Sequence, residues 1–334
     1  MGRPRPLSVD GKLNGWDETV RALVTQLRAD RSREKRLVTD WPDPGPPGHA
    51  EFRTQTVCSG VTNGTERNDL TGGNYATPDE RLPSGWGYQN VGRVMEVGAE
   101  VQMVSVGDLL YLSADHMEHV VTSEDGLYVK LPDGADPHHA ALFGMGSVAL
   151  RTCRNADLRM GERVLVVGAG CIGQFAAQVA AVMGARATVC DIDAARLDVA
   201  RKVGAAEEIV DVSGAGWEES IRNGDYDAVF DFAGVVGMED KLLSAARERG
   251  RVLFIAGRDQ VSYTFNLVQW HELTVKQNSH FGRDDLENLC RLVARGLVTI
   301  APLIHEVVPV AEAKRIYDTL RDEPSKLLGT VFEW

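Results

Sequence analysis

Two short stretches carry side chains whose types and spacing could do chemistry. In VLVVGAGCIGQFAAQVAAVMGARATVCDID, Gly168, Gly170 and Gly173 fall in the pattern G-x-G-x-x-G, between an apolar run and a helix-like run. In PSGWGYQNVGRVMEVG, residues 83–98, Tyr88, Gln89 and Asn90 crowd the mouth of an apolar strand. Three polar side chains at such a place usually have a task.

The glycine pattern has a definite physical reading. Gly168 permits a tight strand-to-helix turn, Gly170 lets a pyrophosphate approach the backbone, and Gly173 lets helix and strand pack closely. The unpaired N–H groups opening the helix face the phosphates, so Ala169, Cys171 and Ile172 belong to the same phosphate-binding turn. Asp191 ends the next strand, 18 residues after Gly173. A carboxylate there accepts hydrogen bonds from ribose hydroxyls and repels a 2′-phosphate, so NAD(H) is expected over NADP(H). Arg196, one turn further on, is the residue that could instead meet a phosphate.

These groups need a scaffold, and the 334 residues suggest two domains. Residues 16–33, WDETVRALVTQLRADRSR, place Trp16, Val20, Leu23, Val24 and Leu27 at helical spacing. The spacing predicts an amphipathic helix, an N-terminal extension over 1–34 ended by DPGPPG (43–48). From 51 to about 132, short apolar or alternating runs between Gly and Pro predict a β-rich domain. Residues 137–157 read as a helical connector. From 163, Val/Ile/Leu-rich strands alternate with helices, which predicts a doubly wound parallel sheet of Rossmann type, an α/β fold.

Composition narrows the function. The chain is 43% hydrophobic and 25% charged, with net charge -12. An acidic chain lacks the basic face that nucleic acid or an anionic membrane requires. No apolar run nears the roughly 20 residues of a spanning helix, and no secretory signal is visible, so a cytoplasmic protein is expected. The five scattered cysteines read as buried reduced thiols. His116 and His119 read as surface residues of a strand connection.

The phrases GWGYQNVGRVMEVGAEV, VGDLLYL, YVKLPDG, RMGERVLVVGAGCIGQFAAQVAAVMGA, DAVFDFAG and RGRVLFIAG together resemble the medium-chain dehydrogenase/reductase superfamily over roughly residues 35–334. The resemblance implies a GroES-like catalytic domain over 35–145 and 303–334, and a Rossmann domain over 146–302. It also implies a homodimer paired through the strand region near RVLFIAG and VSYTFNLV. Further cofactor contacts would come from Ser147 in the connector helix, from Ala233, Ala256 and Gly257 at the ends of Rossmann strands, and from Lys326 in PSKLLG.

Zinc-dependent members hold their metal with a cysteine in a C-x-[ST]-D phrase, a histidine in G-H-E, and a later cysteine or acid. Here those phrases read Asn63-Gly64-Thr65-Glu66 and Gly87-Tyr88-Gln89, and the third position falls near Phe143 and Gly144. Catalytic zinc needs three N, S or carboxylate ligands and an open position, so no zinc is expected. The stretch SGVTNGTERNDL also resembles the zinc-less branch containing bacteriochlorophyllide hydroxyethyl dehydrogenase.

Hydride transfer without a metal still needs a group to polarise the reacting oxygen and move its proton. Tyr88 is the first candidate donor, and Thr65 matches the family's relay hydroxyl. Glu66 would orient that network, act as a base if burial raised its pKa, or serve structurally with Arg67 or a backbone amide. Asn63 and Gln89 would donate amide hydrogen bonds, and His280 would carry a proton. The expected activity interconverts a secondary alcohol and a ketone on a polar small molecule, such as a sugar, an aminocyclitol or an amino-sugar antibiotic precursor. A tetrapyrrole hydroxyethyl dehydrogenase, an NADPH-dependent C=C reductase and a non-catalytic nucleotide-binding protein remain alternatives.

Overall fold

The computed structural model describes residues 18–222 and 225–334. Its first element corrects the sequence reading. Thr19–Leu27 is a strand, β1, paired antiparallel with β2 (Arg33–Pro42), and not a helix. Trp16 and Asp17 of the expected helix lie outside the described residues. Val20, Leu23, Val24 and Leu27 fit a helical stripe, yet the segment is rich in β-branched residues and buries both faces, from Val20 through Ala22 to Thr25. A short turn tied by Asp30 to the Ser32 N–H returns the chain into β2. Tertiary pairing therefore overrides the periodicity. The hairpin packs onto the β-rich body across residue 34: Leu23 lies in one core cluster with Val61, Ile316, Tyr317 and Phe332.

β3 (Glu51–Gly60), β4 (Ser84–Gly85), β5 (Asn90–Val97), β6 (Leu109–Leu112), β7 (His119–Ser123) and β8 (Tyr128–Lys130) continue the β-rich domain. β4 joins β1 and β2 in a small sheet. The helix Phe143–Asn155 then crosses to the second domain.

There β9 (Arg163–Val167), β10 (Arg186–Asp191), β11 (Glu208–Asp211), β12 (Tyr226–Asp231), β13 (Ala246–Phe254) and β14 (Thr274–Lys276) form one sheet in the order β11-β10-β9-β12-β13-β14. Every pairing in it is parallel. Strands such as β12, with Ala228, Val229 and Phe230 fully buried, need cover on both faces, and the intervening helices supply it. The chain then returns through β15 (Ile304–Pro309) and β16 (Gly329–Glu333), which complete a seven-stranded sheet with β3, β5, β6, β7 and β8. The fold is thus an α/β Rossmann domain beside a separate β-rich domain. Among the described residues no helix is long and apolar enough to cross a membrane. All five cysteines are free and buried.

Candidate active site

The glycine turn has the geometry its spacing implies. Gly168 sits at φ 98°, a conformation that disfavours any side chain. A Cβ on Gly173 would lie 1.9 Å from the Gly168 carbonyl oxygen, whereas one on Gly170 would meet nothing within 4 Å. Gly173 is thus a packing requirement, and Gly170 keeps space open in front of the helix Cys171–Val182. That helix has no side-chain cap at its N-terminus, so its first N–H groups remain available. Cys171 belongs to the turn but points away: its Sγ faces the Leu328 carbonyl at 3.3 Å, and burial pushes the thiol up to about 12.

A cavity of about 650 Å³ opens over this turn, lined by Gly168, Gly170, Cys171, Ile172, Gly173, Asp191 and Arg196, among others. Asp191, nearly buried, accepts the Ala169 N–H at 2.6 Å and the Asp193 N–H at 2.9 Å. Arg196 Nη1 lies 3.9 Å from Asp191, and its Nε lies 3.9 Å from Asp193. These residues fit a dinucleotide. Lys326 does not join them: its ammonium pairs with Glu323 at the surface. Short range explains the difference, because Glu323 is within one turn. Ser147 is fully buried, its Oγ lacks a partner among the described residues, and it lies beside Met145 and Val148, which line the two cavities.

A second cavity of about 970 Å³ lies toward the β-rich domain. The two meet at Gly64, Thr65, Arg67, Ile172, Phe232 and Ala233. Tyr88, His280, Ala256 and Gly257 line only the larger one. Tyr75 covers Gly257 so closely that a Cβ there would fall 2.3 Å from its ring. The His280 ring lies edge-on to Tyr88, centroids 5.1 Å apart, with Ser113 Oγ 3.4 Å from its Nε2. Although the residue has an exposed edge, burial of the ring, with Arg151 adding, lowers the His280 pKa. Burial pushes the Tyr88 phenol up to about 12, against the opposing effect of the Thr62 and Thr65 hydroxyls.

Glu66 is held as a buried ion-pair partner. Its carboxylate is 1% exposed and accepts from Lys35 Nζ at 2.8 Å, Tyr317 O–H at 2.7 Å and the Thr62 N–H at 2.7 Å. His116 Nε2 stands 3.3 Å away. Burial alone would raise its pKa, but Lys35 and His116 outweigh it and hold the group far below the usual carboxylate range. The backbone-amide partner expected for Glu66 is present, and its cation is Lys35 rather than Arg67.

Gln89 also departs from expectation. It is fully buried and its Oε1 accepts the Gly144 N–H at 3.0 Å, so it braces the wall and does not face either cavity. Asn63 lines the smaller cavity, donates to the Leu327 carbonyl at 2.9 Å, and its Oδ1 has no partner among the described residues. Asn90 pairs with Thr56 and the Asp115 carbonyl, below the site. His116 is no surface residue: it is 1% exposed, bonded to Ser59 at 2.8 Å, and lies against Gly87. His119 is half-buried against Asp43. In both cases partners roughly 50 to 75 positions away in the chain create the burial.

Sequence reasoning missed Asp115 and Asn278, both on the larger cavity, and the buried Lys35. Among the described residues, neither amide atom of Asn278 has a partner. Among the described residues no group of three or more His, Cys, Asp or Glu could hold a metal ion. At the positions that the family resemblance assigns to zinc ligands stand Asn63, Tyr88, and Phe143 or Gly144: an amide, a phenol, and phenylalanine or glycine. That donor set does not fit catalytic zinc.

The family model described as zinc-binding dehydrogenase matches residues 171–295. An L-threonine 3-dehydrogenase from Pseudoalteromonas atlantica is 27% identical over 311 residues, spanning 81% of this chain and 88% of the relative. Among solved structures, 2R,3R-butanediol dehydrogenase from Bacillus subtilis superposes with TM-score 0.81 at 19% identity, covering 94% of this chain and 99% of the other. Galactitol-1-phosphate dehydrogenase from Escherichia coli gives 0.80 at 19% identity, covering 94% and 100%. The chain is thus similar in sequence to a named dehydrogenase and in fold to solved dehydrogenases. These matches support its place in the medium-chain dehydrogenase/reductase superfamily.

Proposed function

We propose that the chain is a zinc-independent, NAD(H)-dependent oxidoreductase that interconverts a secondary alcohol and a ketone on a polar substrate. The observation that carries this reading is Tyr88, a phenol lining the larger cavity, at the position that the family resemblance gives to a zinc ligand. The reaction class rests on the relative above, whose named substrate, L-threonine, is oxidised at a secondary alcohol.

A nucleotide held by the Gly168–Gly173 turn and Asp191 would supply or accept the hydride. The chain must then handle the proton and the charge on oxygen. A phenol held near 12 stays protonated at neutral pH, so Tyr88 donates to a carbonyl oxygen and stabilises the developing alkoxide. Thr65, at the seam between the cavities, passes the proton onward, and the neutral His280 ring beside Tyr88 is placed to exchange it with solvent. Asp191 favours NAD(H), since its charge faces the ribose side and repels a 2′-phosphate. Thr71, Thr77, Ser84, Asn278 and Ser279 give the larger cavity a hydrogen-bonding wall, which suits a sugar-like substrate better than an apolar macrocycle. We further propose a homodimer joined through the region of RVLFIAG and VSYTFNLV.

The test is a panel of alcohols and ketones with NAD(H) and NADP(H), with metal analysis of the same sample. Turnover with NAD(H) in metal-free protein is the expected result. A stoichiometric transition-metal ion, a strong preference for NADPH, or no turnover across the panel would each overturn the corresponding part.

A further inference from the structure

The larger cavity holds one carboxylate that the reaction does not use. Asp115, in the turn after β6, lines the larger cavity and not the smaller one. Among the described residues, nothing donates a hydrogen bond or forms an ion pair to its carboxylate. The nearby charges are already committed: Lys35 Nζ is bonded to Glu66 and the Trp86 carbonyl, and His116 to Ser59 and Glu66. The strand beneath makes room for it, since a Cβ on Gly85 would lie 2.9 Å from Asp115 Oδ2. Burial, opposed by Lys35 and His116 and aided by Glu66, raises its pKa. A half-buried carboxylate without a donor costs stability, so its partner is best sought among ligands.

We propose that Asp115 is a specificity residue that binds the ammonium group of an amino alcohol while Tyr88 holds the carbinol oxygen. Three observations choose this ligand. Apart from Arg67, the remaining hydrogen-bonding groups lining that cavity are neutral, among them the Asn278 amide, which has no partner among the described residues. A metal ion would need further charged or imidazole ligands, which the described residues do not bring together. The cationic residue of the cavity, Arg67, stands at the seam with the cofactor side, leaving the Asp115 end for the opposite charge. The net charge of -12 also draws cations toward the cleft. The inference deepens the dehydrogenase reading and rests on it for the carbinol's place.

The experiment compares matched pairs: 1-amino-2-propanol with 1,2-propanediol, and 2-deoxystreptamine with myo-inositol. Wild-type kcat/KM should favour the amine in each pair. Asp115→Asn should reduce that preference by roughly tenfold or more, through KM for the amine. Calorimetry of the same ligands on NAD-loaded protein should show amine binding weakened in Asp115→Asn and retained in Asp115→Glu. The variant should also melt higher than wild type, because an uncompensated charge is gone; a structural carboxylate would shift melting the other way. Equal preference in wild type, or equal loss for both members of a pair in Asp115→Asn, would overturn the ammonium site and leave the dehydrogenase reading intact. If neither member of any pair is oxidised, the dehydrogenase reading suffers, and calorimetry alone decides the role of Asp115.

Discussion

Lys35 Nζ lies 2.8 Å from Glu66 Oε2, with both side chains 1% exposed, beneath the Trp86–Tyr88 backbone. The pair joins the second hairpin strand to the first helix of the cleft wall, and Tyr317 from the C-terminal return closes it. Removing one partner leaves the other charged and buried, which typically costs about 3–5 kcal/mol. Lys35→Met and Glu66→Gln should therefore each lower unfolding free energy by that order in urea titrations. The double variant should recover part of the loss. A change under about 1 kcal/mol in both single variants would deny the pair its structural role.

The same carboxylate sets an acid limit. The folded-state pKa of Glu66 is depressed below its unfolded value of about 4.5. Its contribution is thus complete above that unfolded value and fades as pH falls toward the folded one. Wild type should lose stability more steeply below about pH 4.5 than Glu66→Gln. Parallel curves for the two proteins would contradict the assignment.

Much of this architecture could be read from residues alone. The Rossmann half was legible because strands buried on both faces give continuous Val/Ile/Leu runs, and because the turn at Gly168 needs glycine for a local reason. The first hairpin was not legible, since Val20, Leu23, Val24 and Leu27 satisfy helical spacing as well as a strand buried on two faces. Nor were Lys35, Asp115 and His116, whose neighbours come from distant strands. Lys326 shows the reverse, a family-based expectation undone by a local acid at Glu323.

Two glycines of one turn should fail differently. Gly173→Ala would place a Cβ 1.9 Å from a backbone oxygen that cannot yield, so the protein should lose thermal stability. Gly170→Ala meets nothing, so the fold should persist while the methyl blocks the phosphates. Melting curves and NADH fluorescence titration separate the two. Unchanged nucleotide affinity in Gly170→Ala would remove the pyrophosphate from this turn.

Cofactor choice should turn on Asp191. Asp191→Ser removes the charge that opposes a 2′-phosphate and leaves Arg196 free to meet one, its guanidinium now 3.9 Å from a vacated carboxylate position. The ratio of kcat/KM for NAD over NADP should fall by roughly tenfold or more. Because Asp191 also accepts the Ala169 N–H, some loss of affinity for both nucleotides should accompany the switch.

Tyr88→Phe isolates the proposed acid, since the ring and its contact with His280 remain while the hydroxyl is lost. If Tyr88 donates the proton, kcat for ketone reduction should drop by about 10²–10⁴ with little change in KM. Wild-type reduction should stay flat through neutral pH and decline only as the phenol ionises toward about 12. In oxidation, where a proton must leave, the neutral phenol is a poor acceptor, so the rate should rise with pH until the Thr65–His280 route no longer limits. Full kcat in Tyr88→Phe, with the pH profiles unmoved, would transfer the proton to another group of the cleft, and Thr65→Val would then show whether the seam hydroxyl carries it.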